Sequence, residues 1–68
     1  MNVKYFKDTD TALLEFSDAE VNETREISAN ILVDLDKHGN LVSMTIEHAA
    51  ATARFPRVHV EEIDASAA

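Results

Sequence analysis

The sequence predicts an α+β fold that is mostly β: an antiparallel β-meander of four to five strands followed by a short C-terminal helix. Apolar and polar residues alternate from Ile31 to Ile46, which is the pattern of strands with one buried face. Gly39, the only glycine, divides this run into two arms and suits the left-handed position of a hairpin turn. After Ile46 the alternation gives way to an alanine-rich segment, and alanine favours helix.

Two strands are predicted before the hairpin. The first covers Val3–Lys7 and places Tyr5 and Phe6 on opposite faces. A turn follows at Asp8–Thr11, because Asp and Thr side chains bond to nearby backbone groups and compete with regular structure. The second strand covers Ala12–Phe16.

The third strand and the hairpin complete the predicted sheet. Val21–Ile27 is polar between two apolar ends, which indicates an edge strand whose charges discourage aggregation. A short bend at Ser28–Asn30 leads into the hairpin, whose arms are Ile31–Leu35 and Val42–Ile46.

A helix of two turns or fewer is predicted over His48–Arg54. Pro56 stops it, because proline disfavours the helical conformation in the preceding Phe55. The segment Arg57–Ile63 is an extra terminal strand, a strand exchanged with a second subunit or a loose tail, and its sequence leaves these alternatives open. We expect residues 1–63 to form a single domain and residues 64–68 a disordered tail.

The run Tyr5–Ser17, a serine–aspartate loop, an acidic stretch and the hairpin Ile31–Glu47 follow one another in an order and spacing that resemble a family of small prokaryotic proteins, domain of unknown function 2283. The likeness covers about residues 1–53. It implies a small soluble β-sheet-plus-helix fold, and it implies no catalytic residues. It also implies an antitoxin-like role, because members are often encoded beside small toxin-like proteins. The chain departs from the family pattern at Glu47–Ala49 and in the extension Phe55–Ile63.

Composition excludes several classes of function. The 13 acidic residues outnumber the 6 basic ones and give a formal net charge of −7, which opposes binding to nucleic acid. The chain has no cysteine for a disulfide or a thiolate zinc site. No apolar run approaches the ~20 residues that cross a bilayer. We therefore expect a cytoplasmic bacterial or archaeal protein without a cofactor, bound to neither nucleic acid nor membrane.

A chain of 68 residues is marginal as a lone core, because a domain of this size buries only about 60% of its unfolded surface. We expect a homo-oligomer, most simply a dimer, or a complex with a basic protein partner. An antitoxin-like protein would meet a basic toxin with acidic residues, namely Glu20, Glu23, Glu26, Glu61 and Glu62.

A second apolar set predicts where a partner binds. The hairpin residues that point inward include Ile31, Val33 and Leu35. The second set lies on the opposite side of the strands, so either the helix or another subunit must cover it. Its members are Phe6, Leu13, Leu32 and Leu41. The predicted interface combines this set with the helix: Phe6, Leu13, Leu32, Leu41, Ala49, Ala53 and Phe55.

The alternative function is binding of a metal or a small molecule. Its candidate ligands are His38, His48, His59, Asp34 and Asp36. The three histidines lie in separate segments, without the i+3 or i+4 spacing of metal sites, and surface histidines are the simpler interpretation. The run from Asp34 to Gly39 imitates the opening of a calcium loop, but Thr45 stands where such a loop has a bidentate glutamate. A hairpin turn explains the run better.

Catalysis has no support in the sequence. Acid–base work needs two carboxylates in different environments inside a cleft, and a chain this small offers little room for one. No serine lies in a nucleophile-elbow motif, which needs more than one glycine. We expect a non-enzymatic protein with no catalytic residues and no bound metal.

Overall fold

A computed structural model describes residues 1–65 of the chain. These residues form a five-stranded antiparallel sheet and a short helix. The elements are β1 (Asn2–Phe6), β2 (Thr11–Glu15), β3 (Glu23–Ser28), β4 (Ile31–Leu35), β5 (Leu41–Glu47) and α1 (Ala49–Ala53). The predicted fold, a mostly β protein with an antiparallel sheet and a short C-terminal helix, is confirmed.

The strand order is β1-β2-β5-β4-β3, so the last strand lies in the centre of the sheet. The order departs from a simple meander at one connection, because β2 pairs with β5 instead of β3. Residues 16–22 make this connection across the ends of β5 and β4. Phe16 N donates to Val42 O at 2.8 Å, and Asn22 N donates to Leu35 O at 2.8 Å. Strands β1 and β3 are the two edges, which confirms the predicted edge position of the third strand.

The cross-strand register divides the side chains between two faces. Tyr5 pairs with Ala12, Ala12 with Ile46, and Ile46 with Ile31, and paired residues share a face. We call this side the core face and the opposite side the second face. The period of two predicted for the strands is confirmed in this register.

Helix α1 packs on the core face. Ala12 and Ala49 have no exposed surface and pack together with Ile46. The ring of Phe55, just after the helix, stacks on Tyr5 with centroids 6.1 Å apart. A helix of five residues is marginal alone, so its stability depends on this contact with the sheet.

The chain leaves regular structure after α1. The helix ends before Pro56, as predicted, and Arg54 adopts a left-handed conformation from which its N–H donates to Ala50 O at 3.0 Å. Residues 57–63 hold no strand, so the predicted extra terminal strand does not form within a single chain. Of the predicted tail 64–68, residues 66–68 lie outside the described residues. Among residues 1–65, no helix has both the length and the apolar character needed to traverse a membrane.

Candidate functional site

Three of the predicted interface residues meet on the second face. Leu13 of β2 and Leu32 of β4 both pair with Thr45 of the central strand, so they flank it. Phe6 pairs with Thr11, two residues before Leu13, which makes Phe6 and Leu13 diagonal neighbours. Phe6 is 48% exposed, and the two leucines are half-buried. These residues form an apolar patch on β1, β2 and β4 that Thr45 of β5 divides between Leu13 and Leu32.

The other four predicted interface residues lie elsewhere. Leu41 pairs with Leu35 beyond a register shift between β4 and β5. Leu35 is one of the hairpin residues predicted to point inward, so Leu41 does not lie opposite a member of the patch. Ala49 has no exposed surface and Phe55 packs on the core cluster, so both belong to the core face. Ala53 is exposed on α1. The helix therefore covers the core face, and the predicted interface residues are divided between the two sides of the sheet.

A polar ladder borders the leucines on the second face. Asp34 accepts hydrogen bonds from Ser43 Oγ on β5 and from Thr24 Oγ1 on β3, each at 2.6 Å. These bonds, the one from Ser43 first, lower the pKa of Asp34 below its ordinary value. Because each carboxylate oxygen accepts one of these bonds, Asp34 is satisfied without a partner molecule.

An ion pair borders Leu13 on the side of β1. Lys4 Nζ lies 2.9 Å from Glu15 Oε1, and Lys4 pairs with Leu13 in the register of the two strands. Glu15 Oε1 is shielded from solvent, and among the described residues it has no hydrogen bond of good geometry. The Lys4 ammonium therefore stabilises the Glu15 carboxylate mainly through its charge and not through a directed hydrogen bond. The two charges beside Leu13 balance.

The two edges of the sheet differ in charge. On β3, Glu23 Oε2 lies 2.6 Å from Arg25 Nε, and the hydrogen bond from Arg25 lowers the pKa of Glu23. Glu26 adds an acidic group to the same strand. On the β1 side, Lys4 lies within the strand and Lys7 directly follows it. Lys4 is paired with Glu15, so among the described residues Lys7 supplies the positive charge on this side that no ion pair balances.

The acidic residues predicted to meet a basic toxin are all exposed, but they do not gather in one element. They lie in the β2–β3 connection, on β3 and in the C-terminal segment: Glu20, Glu23, Glu26, Glu61 and Glu62. Glu61 Oε1 lies 3.5 Å from His59 Nε2. They therefore provide a diffuse acidic field on these parts of the surface.

The candidate metal ligands are placed apart. His48 Nδ1 lies 3.1 Å from Asn30 Oδ1, His59 belongs to the exposed C-terminal segment, and His38 lies in the hairpin turn. Within the part of the chain that the structure describes, no three His, Asp or Glu side chains form a group able to hold a metal ion.

The run that imitates a calcium loop is a hairpin turn, as predicted. Asp36 Oδ1 accepts the N–H groups of His38 and Asn40, each at 2.9 Å. These backbone donors, that of Asn40 first, lower the pKa of Asp36. Gly39 has a φ of 80°, which is the left-handed conformation predicted for it in the hairpin turn.

Asp10 has a role beyond the turn in which the sequence places it. Asp10 Oδ1 accepts hydrogen bonds from Tyr5 Oη at 2.6 Å and Ala50 N at 3.0 Å. Its carbonyl oxygen accepts the N–H of Ala49 at 2.8 Å. Asp10 thus connects the β1–β2 turn to the first turn of α1. Aspartate commonly satisfies helix N-termini, but here it does so across 40 residues of sequence.

These observations define a small antiparallel sheet protein with a helix on one face and an open apolar patch on the other. The family model described as Protein of unknown function (DUF2283) matches residues 2–49. The chain therefore belongs to that family, which confirms the resemblance seen in the sequence. The match spans all five strands and ends at the start of α1. Neither a curated protein nor a solved structure matches the chain.

Proposed function

We propose that this protein is a small non-enzymatic interaction module that acts by self-association. The observation that carries the proposal is the open second face, where Phe6, Leu13 and Leu32 form an apolar patch. A sheet that packs a helix on one face leaves the other face to be covered. A second copy is the simplest partner, because a two-fold dimer joins the same patch on both subunits.

The extent of exposed surface supports this proposal. The accessible surface is 5417 Å². A compact monomer of 7.5 kDa is expected to expose about 4,200 Å². The excess is on the order of 1,000 Å², which is similar to the ~800 Å² that each partner contributes to a standard interface.

The small core also favours a partner. Among the described residues, the buried apolar side chains are Ala12, Val33, Val42, Ile46 and Ala49. Two of these five are alanines, so the apolar area that stabilises the isolated chain is modest. Burial of the second face in a dimer would add leucine and phenylalanine side chains to this core.

A basic protein partner is the second candidate, and the net charge of −7 favours it. An acidic surface attracts a basic protein and accelerates their encounter. Glu20, Glu23 and Glu26 lie close in sequence on the β2–β3 connection and on β3, and would contribute to this attraction. An antitoxin-like protein that neutralises a basic toxin is the specific form of this candidate.

The first test is the native mass of the purified protein, measured by sedimentation equilibrium over a range of concentrations. We expect a species of twice the 7.5 kDa chain mass. Leu32→Asp places a charge in the patch and should give a folded monomer. Ile27→Asp is the matched control, because it makes the same change at an exposed position on β3 and should remain dimeric.

The outcomes separate the two candidates. A wild-type chain that stays monomeric at every concentration would rule out self-association. A Leu32→Asp variant with unchanged mass would show that the patch is not the interface. Recovery of the protein from its own cells in fixed ratio with a second, basic polypeptide would support the partner candidate instead.

A further inference from the structure

The C-terminal segment, residues 57–63, presents apolar side chains that the chain itself does not cover. Val58, Val60 and Ile63 are 53%, 77% and 76% exposed. Val58 and Val60 are two residues apart, the spacing of one strand face. A segment outside regular structure with exposed β-branched side chains can pair with an open sheet edge.

Strand β1 offers such an edge. It pairs with β2 alone, so its outer backbone groups have no strand partner in the described sheet. Val3 and Phe6 of this strand are 39% and 48% exposed, one on each face. An added strand would cover both side chains and supply backbone hydrogen bonds, as in β-strand addition.

Charge selects β1 over the other edge, β3. The segment carries Glu61 and Glu62, and these would meet Lys7 at the end of β1, where Lys4 is already paired with Glu15. Along β3 they would meet Glu26, because Glu23 is already paired with Arg25. Opposite charges on neighbouring strands stabilise pairing, and like charges oppose it.

The position of Phe55 determines where the segment begins. Phe55 stacks on Tyr5 of β1, so the segment leaves the sheet beside the β1 edge. From Pro56 to Ile63 an extended chain reaches roughly 25 Å. That length exceeds the roughly 16 Å of a five-residue strand such as β1. The segment is therefore long enough to pair along the whole of β1, and between two copies such an exchange is reciprocal about a two-fold axis.

We infer that the segment Arg57–Ile63 pairs with β1 of a second copy and adds a sixth strand to that copy's sheet. This inference rests on the proposed self-association and adds to it a contact at the β1 edge, apart from Leu32 on β4. Each subunit then supplies a strand to the other, and the added strand lies next to Phe6 and extends the apolar patch.

Cysteine cross-linking tests the inference, because the chain has no cysteine of its own. A Val3→Cys chain is mixed with a chain carrying Val58→Cys or Val60→Cys, under mild oxidation. One of the two chains is labelled with ¹⁵N, because all disulfide dimers otherwise share the same mass. We expect the half-labelled mixed disulfide in preference to either self-linked product. Ile27→Cys on β3 replaces Val3→Cys as the matched control and should give little product.

A second variant measures the energetic contribution of the pairing. In an added strand the N–H groups of alternate residues face β1, so one of the two adjacent variants, His59→Pro or Val60→Pro, removes a donor to β1 and should raise the dimer Kd by about tenfold or more. Val60→Thr keeps a β-branched side chain and should change it by less than about threefold. Val60 is 77% exposed, so neither change should unfold the subunit.

Three results would overturn the inference. They are cross-linking that favours Ile27→Cys, a disulfide within one chain that carries both Val3→Cys and Val60→Cys, and an unchanged Kd for both His59→Pro and Val60→Pro. If the wild type dimerises and any of these occurs, the exchange fails while self-association stands. If the wild type is monomeric, the proposed self-association fails, and the strand exchange that depends on it fails as well.

Discussion

Tyr5 Oη on β1 donates a hydrogen bond to Asp10 Oδ1 in the β1–β2 turn, at 2.6 Å. The same carboxylate oxygen accepts the N–H of Ala50, and the Asp10 carbonyl accepts the N–H of Ala49. Two of the N–H groups that the first turn of a helix leaves unpaired are thus satisfied by the β1–β2 turn. The contact holds α1 on the core face, where Phe55 stacks on Tyr5.

We predict that Asp10→Ala lowers stability by releasing the start of α1. The Tyr5 hydroxyl and the Ala50 N–H each lose their acceptor, and the helix is too short to persist without its contact with the sheet. Asp8→Ala is the charge control in the same turn, and Asp10→Gly removes the carboxylate without the penalty for a side chain at the Asp10 φ of 52°. Urea denaturation followed by circular dichroism should show a lower midpoint for Asp10→Ala than for Asp8→Ala. Equal midpoints would contradict this role of Asp10.

The faces of the strands could be predicted from the sequence, and the strand order could not. Alternation is a local property, so the separation of Tyr5 from Phe6 and of Leu13 from Leu14 follows from a period of two. The pairing of β2 with β5 joins residues about thirty positions apart, such as Leu14 and Met44, and no local pattern encodes it.

The candidate site was predicted in part for the same reason. Leu13 and Leu32 were placed together correctly, because each lies in a regular stretch of its strand. Leu41 follows the hairpin turn, where an irregular register interrupts the alternation. Asp10 looked like an ordinary turn residue because its partner Ala50 is 40 positions away.

We predict that stability falls below about pH 4 and that the Asp34 ladder contributes to the fall. Hydrogen bonds, first from Ser43 and then from Thr24, lower the folded-state pKa of Asp34 from its ordinary value of 3.8. A group with a lowered pKa contributes fully above its unfolded value, and the contribution is lost as the pH falls through the folded value. Thermal unfolding between pH 7 and pH 2 measures this loss.

Ser43→Ala separates the ladder from other acidic groups. It removes the first of the two donors to Asp34 and should cost about 1 kcal/mol at pH 7, as for one net hydrogen bond. The variant should also lose less stability than the wild type as the pH falls, because its Asp34 is less perturbed. Parallel pH profiles for the two proteins would show that Asp34 does not contribute.

We predict that Ile46→Val costs about 1 kcal/mol of unfolding free energy. Ile46 is buried against Ala12 and Ala49, so the lost methylene leaves a void in a small core. Ile27→Val makes the same change at a side chain that is 62% exposed and should cost close to nothing. Equilibrium urea denaturation of both variants gives the comparison, and equal costs would place Ile46 outside the core.

Gly39 has a φ of 80°, which lies in the left-handed region. A Cβ at this position would meet no atom within 4 Å, so a substitution acts on the backbone and not on packing. Gly39→Ala should therefore cost about 1 kcal/mol, the penalty for a side chain in that conformation. Gly39→Asn should cost less, because asparagine tolerates left-handed backbone through local hydrogen bonds. Urea denaturation gives both values, and an alanine variant as stable as the wild type would show that the turn adopts another conformation in solution.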